Sequence, residues 1–424
     1  MYPHNPWPLL LLLAAAVSCD DGDAGTSAGS AGPGTGPGTG GSGSGGIGAA
    51  GATGGGGAGG IGGSGGFIPI DPPTCVDLAT LPGWRQGLEP GEWVALPTAD
   101  LREVVPDVMP GGGYYGRIDA WNGFAADIVS SVLYLGAAGG HADYAGNEVY
   151  ALSLATESPV WVIETQPTPA DLYTFDEPYY LDGLPSSMHT YYSMWFVEPR
   201  GKLFRFPGGS VWGSGNGNTP HIDAWDPVTK LWDPAGSHPD MGASPTYEVP
   251  TAKDVLTGNV YQVQGDNHLW MWDAEADTTT DLGNIEMGSG SFYDVYAAPS
   301  VVADGRLLFL LDDANPGAAR VYDTATSSWS VEAVTGPAAS AVSAEQGMAF
   351  FDACADAILV KTSLAGELIL LDPVTLEATP FPTTGDAPAD AINGVHTLFQ
   401  YLPNLGGYAY QPRHDSVMHF VATQ

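Results

Sequence analysis

Short apolar runs recur along the chain, each followed by a polar or Gly-rich turn. They come in pairs, at residues 132–136 and 148–154, 202–206 and 221–226, 258–263 and 269–273, 306–311 and 320–323, and 357–361 and 367–372. Brief runs rich in β-branched and aromatic side chains, bounded by turn residues, predict strands rather than helices. The second run of a pair leads into a turn that opens on Asp. Asp226-Pro227-Val228-Thr229 is followed by Trp232, and Asp323-Thr324-Ala325-Thr326 by Trp329. Asp372-Pro373-Val374-Thr375 repeats the turn without the Trp, and Leu154-Ala155-Thr156 before Trp161 is a degenerate copy. Asp and Pro initiate such a turn, Thr suits its exit, and a Trp on the next strand gives a large face for packing between sheets.

The copies repeat at roughly 45 to 60 residues, the period of a four-stranded propeller blade. The predicted fold is therefore all-β, a β-propeller of six four-stranded blades. The blades begin near Ile118, His189, Thr246, Tyr296, Met348 and His396. The last has room for three strands before Gln424. Glu92-Trp93-Val94-Ala95-Leu96 is expected to supply its outermost strand, tying the ends together and removing exposed sheet edges. A seventh blade would require residues 67–117 to be richer in strands.

Composition divides the chain. Residues 22–66 are almost entirely Gly, Ala, Ser, Thr and Pro, a tract that buries nothing and reads as a flexible tether or as neutral low-complexity sequence. The apolar run at residues 9–17 is too short to span a bilayer and reads as the core of a signal peptide. It ends in Ala16-Val17-Ser18-Cys19, which resembles the lipobox of bacterial lipoproteins. That resemblance implies cleavage before Cys19, lipid on its thiol, and a place in the bacterial envelope, surface-exposed or periplasmic, touching membrane only through the anchor. One departure is that no Lys or Arg precedes Arg85. The expected organisation is a leader at 1–19, a linker at 20–66 and a propeller at 67–424. With Cys19 modified, Cys75 and Cys354 remain as an even pair in an oxidising compartment, either a disulfide or two buried thiols.

Charge narrows the partners. Lys and Arg total 12 against 48 Asp and Glu, a formal net charge of −36. Such a chain repels nucleic acid and anionic surfaces and favours neutral or cationic partners.

The stretch from Gly139-Gly140-His141-Ala142-Asp143-Tyr144 through Asn147-Glu148-Val149-Tyr150, then His189-Thr190-Tyr191 and Gly208-Gly209, is similar to bacterial kelch-repeat proteins related to the central domain of galactose oxidase. The similarity spans about residues 90–424 and implies the fold, not a reaction. Galactose oxidase uses copper with two Tyr, two His and a Tyr–Cys crosslink. Neither Cys75 nor Cys354 lies in a context matching that crosslink, so no cofactor is assigned.

In a propeller the second-to-third strand loops and the blade-to-blade loops share one face around a central funnel. This arrangement places His141, Asp143, Tyr144 and Asn147 there from blade one, His268 from blade three and His414 from blade six. His189 and His396 open the inner strands of blades two and six. Blades six, one and two are neighbours in a closed ring, so His141, His189, His396 and His414 are expected to converge. An insert at residues 166–188 brings Tyr173, Phe175, Asp176, Glu177, Tyr179 and Tyr180, and the loop at 210–219 brings Trp212, Asn216 and Asn218. Aromatic faces beside carboxylates and amides suit a sugar ring.

Two function classes follow. One is a surface module binding a glycan or an extracellular protein at the funnel face. The other is a polysaccharide lyase or related carbohydrate-active enzyme, with His141, His189 and Tyr192 as base and acid and Arg205 neutralising a carboxylate. Each residue also has a structural reading: His141 and Asp143 capping their own loop, Asn147 bonding backbone, His189 and His396 repeating a structural position before Thr. An enzyme requires titratable groups converging near an Arg, whereas a binder requires an aromatic platform. No nucleophile elbow, phosphate loop or metal motif is present in the sequence.

Overall fold

The computed structural model describes residues 67–69, 75–76, 80–106, 113–213, 219–242, 249–265, 267–285, 300–301, 305–310, 317–342, 347–352, 354–362 and 366–424. The leader with Cys19, the tether, Asn216, Asn218 and the blade starts at Thr246 and Tyr296 lie outside them.

Among the described residues the strands form six sheets, the blades of a β-propeller. Blade one holds Ala125–Asp127, Val132–Gly136, Val149–Ser153 and Trp161–Thr165. Blade two holds Met194–Val197, Lys202–Arg205, Asp223–Asp226 and Leu231–Trp232. Blade three holds Thr251–Lys253, Val260–Val263, His268–Asp273 and Thr278–Asn284, and blade four Ser300–Val301, Arg306–Leu310, Ala318–Asp323 and Ser328–Ala333. Blade five holds Met348–Asp352, Ala357–Lys361, Leu368–Leu371 and Ala378–Phe381. In the last sheet Phe399–Leu402, Gly407–Tyr410 and Met418–Ala422 are followed by Glu92–Leu96, antiparallel to Met418–Ala422 with Trp93 opposite Val421. Thr384–Gly385 then pairs in parallel with Glu92–Leu96.

The Asp turns have one mechanism. Asp226, Asp323 and Asp372 each accept two backbone N–H groups, from residues two and three further on, at 2.7–3.3 Å. The residue four on takes positive φ: Lys230 at 62°, Ser327 at 53°, Leu376 at 54°. Asp273 builds the same turn in blade three, with Asp277 at 52°. Trp232 then reaches across to blade one, where a Cβ on Gly136 would sit 3.7 Å from its ring.

Predicted strand bounds agree with the observed ones to within a residue or two, except that the blade-three inner strand starts at Thr251 rather than Thr246 and the inner strands of blades one, two and six start later than Ile118, His189 and His396; these last three share a cause. The reason is that the entry segments are pulled off the sheets and bonded to one another. Trp121, Tyr191 and His396 hold positive φ of 52°, 41° and 42°. Tyr191 N–H donates to Trp121 O at 2.8 Å, and Thr397 N–H to Tyr191 O at 3.4 Å.

Buried charge also joins blades. Lys253 Nζ donates to both Glu198 oxygens at 2.7 and 2.8 Å and to Phe196 O at 2.6 Å, and Glu198 accepts from Ile128 N–H at 3.3 Å, so one carboxylate touches three blades. Cys75 and Cys354 form a disulfide with Cα atoms 5.4 Å apart, linking the entry segment to blade five.

Candidate functional site

Close backbone approach builds the rim of blades one and two. Gly140 has φ of 75°, and a Cβ there would lie 2.3 Å from Ser210 O and 2.4 Å from His189 N. A Cβ on Gly209 would lie 1.7 Å from His189 O. The two Gly pairs of the sequence are therefore the points where the blade-one loop, the blade-two entry and the 208–213 loop press together, and only Gly fits. Asn122, fully buried, ties the blade-one loop to the blade-two entry: its Oδ1 accepts from Gly139 N–H at 3.3 Å and Thr190 N–H at 3.0 Å, and its amide donates to Gly116 O at 2.8 Å.

This frame presents His189. Its Nε2 lies 2.9 Å from Asp143 Oδ2, and its Nδ1 lies 3.4 Å from the Tyr191 hydroxyl. A proton on Nε2 donates to the carboxylate and leaves Nδ1 to accept from Tyr191. Burial lowers the His189 pKa, the Asp143 carboxylate opposing that effect, so the imidazole is neutral at physiological pH. The Asp143 side chain remains 28% exposed. The His141 ring, held in a loop residue with φ of 42°, lies 6.0 Å from the His189 ring.

Aromatic rings extend the site in both directions. Trp121, half-buried, lies 5.3 Å from the His189 ring. On one side, the His141 backbone bridges to Trp212, whose ring is 5.7 Å from Phe175, itself 66% exposed. On the other, a Cβ on Gly116 would touch Asp143 O at 2.9 Å, and the adjoining Tyr115, 39% exposed, lies 6.0 Å from the His414 ring. His414 is fixed by Asp119, which accepts from its N–H at 2.7 Å and also bonds its Nδ1.

Three of the four expected imidazoles meet. Tyr191 bridges His189 and His396, with ring separations of 5.7 and 5.3 Å. His396 is entirely buried, also against Tyr192 at 5.0 Å. Burial drives its pKa down to about 3, helped by His189. Among the described residues neither of its ring nitrogens has a hydrogen-bonding partner.

Other candidates serve the scaffold. Tyr192 is buried and its hydroxyl donates to Gly347 O of the blade-five entry at 3.2 Å. Arg205 is committed to Asp223 at 2.7 Å and to Ser186 O, and Tyr179 donates to the same Asp223 at 3.0 Å, so the guanidinium anchors the 166–188 insert instead of facing a ligand. Tyr144 donates to Glu148 at 2.6 Å beneath the rim. Asn147 donates to Thr168 Oγ1 and Pro185 O, each at 2.9 Å, fastening the loop to the insert. His268 pairs with Asp281 in blade three at 2.8 Å. Among the described residues no group of three or more His, Cys, Asp or Glu is arranged to hold a metal ion.

Trp121, Tyr191, Tyr115 and Asp119 were not among the candidates read from the sequence. The available signal was register: a ring stands at the same entry position in blades one, two and six, as Trp121, Tyr191 and His396.

No family model and no curated protein matches the sequence. Solved structures similar to it include a chain of the Mitotic Checkpoint Complex, at 11% identity and TM-score 0.44, covering 79% of this chain and 94% of that one. Another is a structural genomics protein of unknown function from Bacteroides thetaiotaomicron, at 11% identity and TM-score 0.42, covering 78% and 75%. A third belongs to a Nidogen/Laminin Complex, at 9% identity and TM-score 0.38, covering 72% and 85%.

Proposed function

We propose that this propeller is a binding module that holds a glycan on the rim where blades one, two and six meet. The observation carrying this reading is two groups of rings, Phe175 with Trp212 and His141 with His189 and Trp121, joined by the His141–Trp212 backbone bridge and flanked by the partly exposed Asp143. Sugar C–H faces stack on rings, and a carboxylate and an imidazole accept and donate at hydroxyls. Trp121→Ala and Phe175→Ala are each expected to weaken oligosaccharide binding about 10-fold, equivalent to about 1.4 kcal/mol. Isothermal titration of the full chain with a panel of neutral oligosaccharides tests this, and unchanged affinity in both variants would move the site elsewhere.

A second reading, a carbohydrate-active enzyme, draws on the hydrogen-bonded chain Asp143–His189–Tyr191, in which a carboxylate orients an imidazole that contacts a phenol. The acid–base pair is then His189 with Tyr191, Arg205 and Tyr192 being engaged elsewhere. Product formation during the same titrations, abolished in His189→Ala, supports it. Intact oligosaccharide after prolonged incubation removes it.

A further inference from the structure

We propose that the rim selects sugars bearing free, protonated amines. This rests on the reading of the rim as a glycan site and names the chemical class of its ligand.

Blades one, two and six, which build the rim, carry Arg117, Arg205 and Arg413, and each is already paired. Arg117 is sealed against Glu148 with neither side chain exposed, Arg205 is buried against Asp223, and Arg413 on the His414 loop pairs with Asp415 at 3.0 Å. The carboxylate flanking the rings has no such compensation. Among the described residues the Asp143 carboxylate meets one side chain, the His189 imidazole at 2.9 Å, and its other side faces solvent. The Asp176 carboxylate, which has a partner of its own, stands at the Phe175 end. Asp176 N–H donates to Trp212 O at 2.8 Å, and a Cβ on Gly213 would fall 2.0 Å from Asp176 Oδ1, which places that carboxylate against the loop carrying Trp212.

The rim is therefore aromatic and anionic, on a chain of net charge −36. A neutral sugar stacks on the rings and leaves Asp143 uncompensated. A uronate meets repulsion from Asp143 and from the net charge of the whole molecule. An ammonium group on a sugar ring satisfies both features at once: a charge-assisted hydrogen bond to the carboxylate and attraction to the face of Trp121. Recognition is thus expected to follow the amine, not the ring stereochemistry alone.

The test compares hexamers of glucosamine, N-acetylglucosamine and galacturonic acid by isothermal titration against the full chain. The glucosamine hexamer is expected to bind at least about 10-fold more tightly than its N-acetylated form, the difference of one well-placed charged contact. The uronate hexamer is expected not to bind. The preference should shrink as salt screens it, and should vanish in the unaltered protein when pH is raised until the amine deprotonates. Asp143→Asn is expected to lower the ratio of the two affinities, with circular dichroism verifying that the variant folds. Equal or tighter binding of the N-acetylated hexamer overturns the amine selectivity while leaving the rim as a glycan site. If none of the three hexamers binds, the glycan site and the selectivity fall together.

Discussion

Arg117→Met is expected to lower the unfolding free energy by about 3–5 kcal/mol, the usual cost of breaking a buried ion pair by removing one partner. Arg117 and Glu148 are both without solvent exposure. The guanidinium lies over the rings of Tyr144 and Tyr150, at 3.9 and 4.6 Å. Glu148 also accepts from both phenols, at 2.6 and 2.7 Å. Without Arg117 the carboxylate keeps two neutral donors and no countercharge. It would then fold only by taking up a proton, so the deficit should be smaller at pH 5 than at pH 8. Guanidinium denaturation at both pH values measures this. The double change Arg117→Met with Glu148→Met is expected to recover much of the loss, because no orphaned charge remains. A single-variant deficit under about 1 kcal/mol would show that the pair contributes no more than a surface contact. The effect should reach the rim as well, since Glu148 ends the loop that carries His141 and Asp143. Weaker glycan binding by Arg117→Met at temperatures where it is still folded would reveal that coupling.

The second large effect is an acid instability traceable to His396. Burial holds its pKa at about 3, against an ordinary value of 6.5 when unfolded. Below pH 6.5 the unfolded chain takes a proton there that the folded chain refuses. Stability is therefore complete above the unfolded pKa and falls as pH drops toward the folded one. Each pH unit in that window costs up to about 1.4 kcal/mol, or about 3 kcal/mol by pH 4. His396→Asn is the comparison to make. Asn tolerates the positive φ of 42° at this position and does not titrate. Wild-type stability is expected to fall more steeply than the variant's between pH 6.5 and 4, with the carboxylates contributing equally to both. Parallel curves would mean that His396 is protonated at little cost, hence accessible to water or to a counter-ion in solution.

Much of the propeller was legible because its information is local. Each Asp turn reads as Asp followed two and three residues later by the N–H groups it will accept, and each strand pair reads as two apolar runs around a Gly-rich connection. Glu92–Leu96 stood out as an isolated apolar run before a loop region, and it pairs with Met418–Ala422. The inner strands were placed too early at Ile118, His189 and His396 because those entry segments look like strand starts. Their polar backbone groups instead bond to one another across blades.

The sequence by itself determined the repeat, the bounds of most strands and turns, and the candidacy of His141, His189, Asp143 and His396. Each of those follows from residue type and spacing along one segment. Tertiary structure alone decided which candidates stand together at the rim and which are committed to the scaffold. Arg205 and Asp223 lie on adjacent strands of blade two, and the burial of their pair under the insert at 166–188 takes the guanidinium away from the funnel. Tyr191 and not Tyr192 meets His189, because a positive φ at Tyr191 sends successive side chains in directions that strand alternation does not predict. Trp121, His189 and His396 are far apart in the chain and share a site only through the contact of three blade entries. Contacts between distant segments carry no signature in the spacing of either one, so the ring of blades had to be assembled before the rim existed.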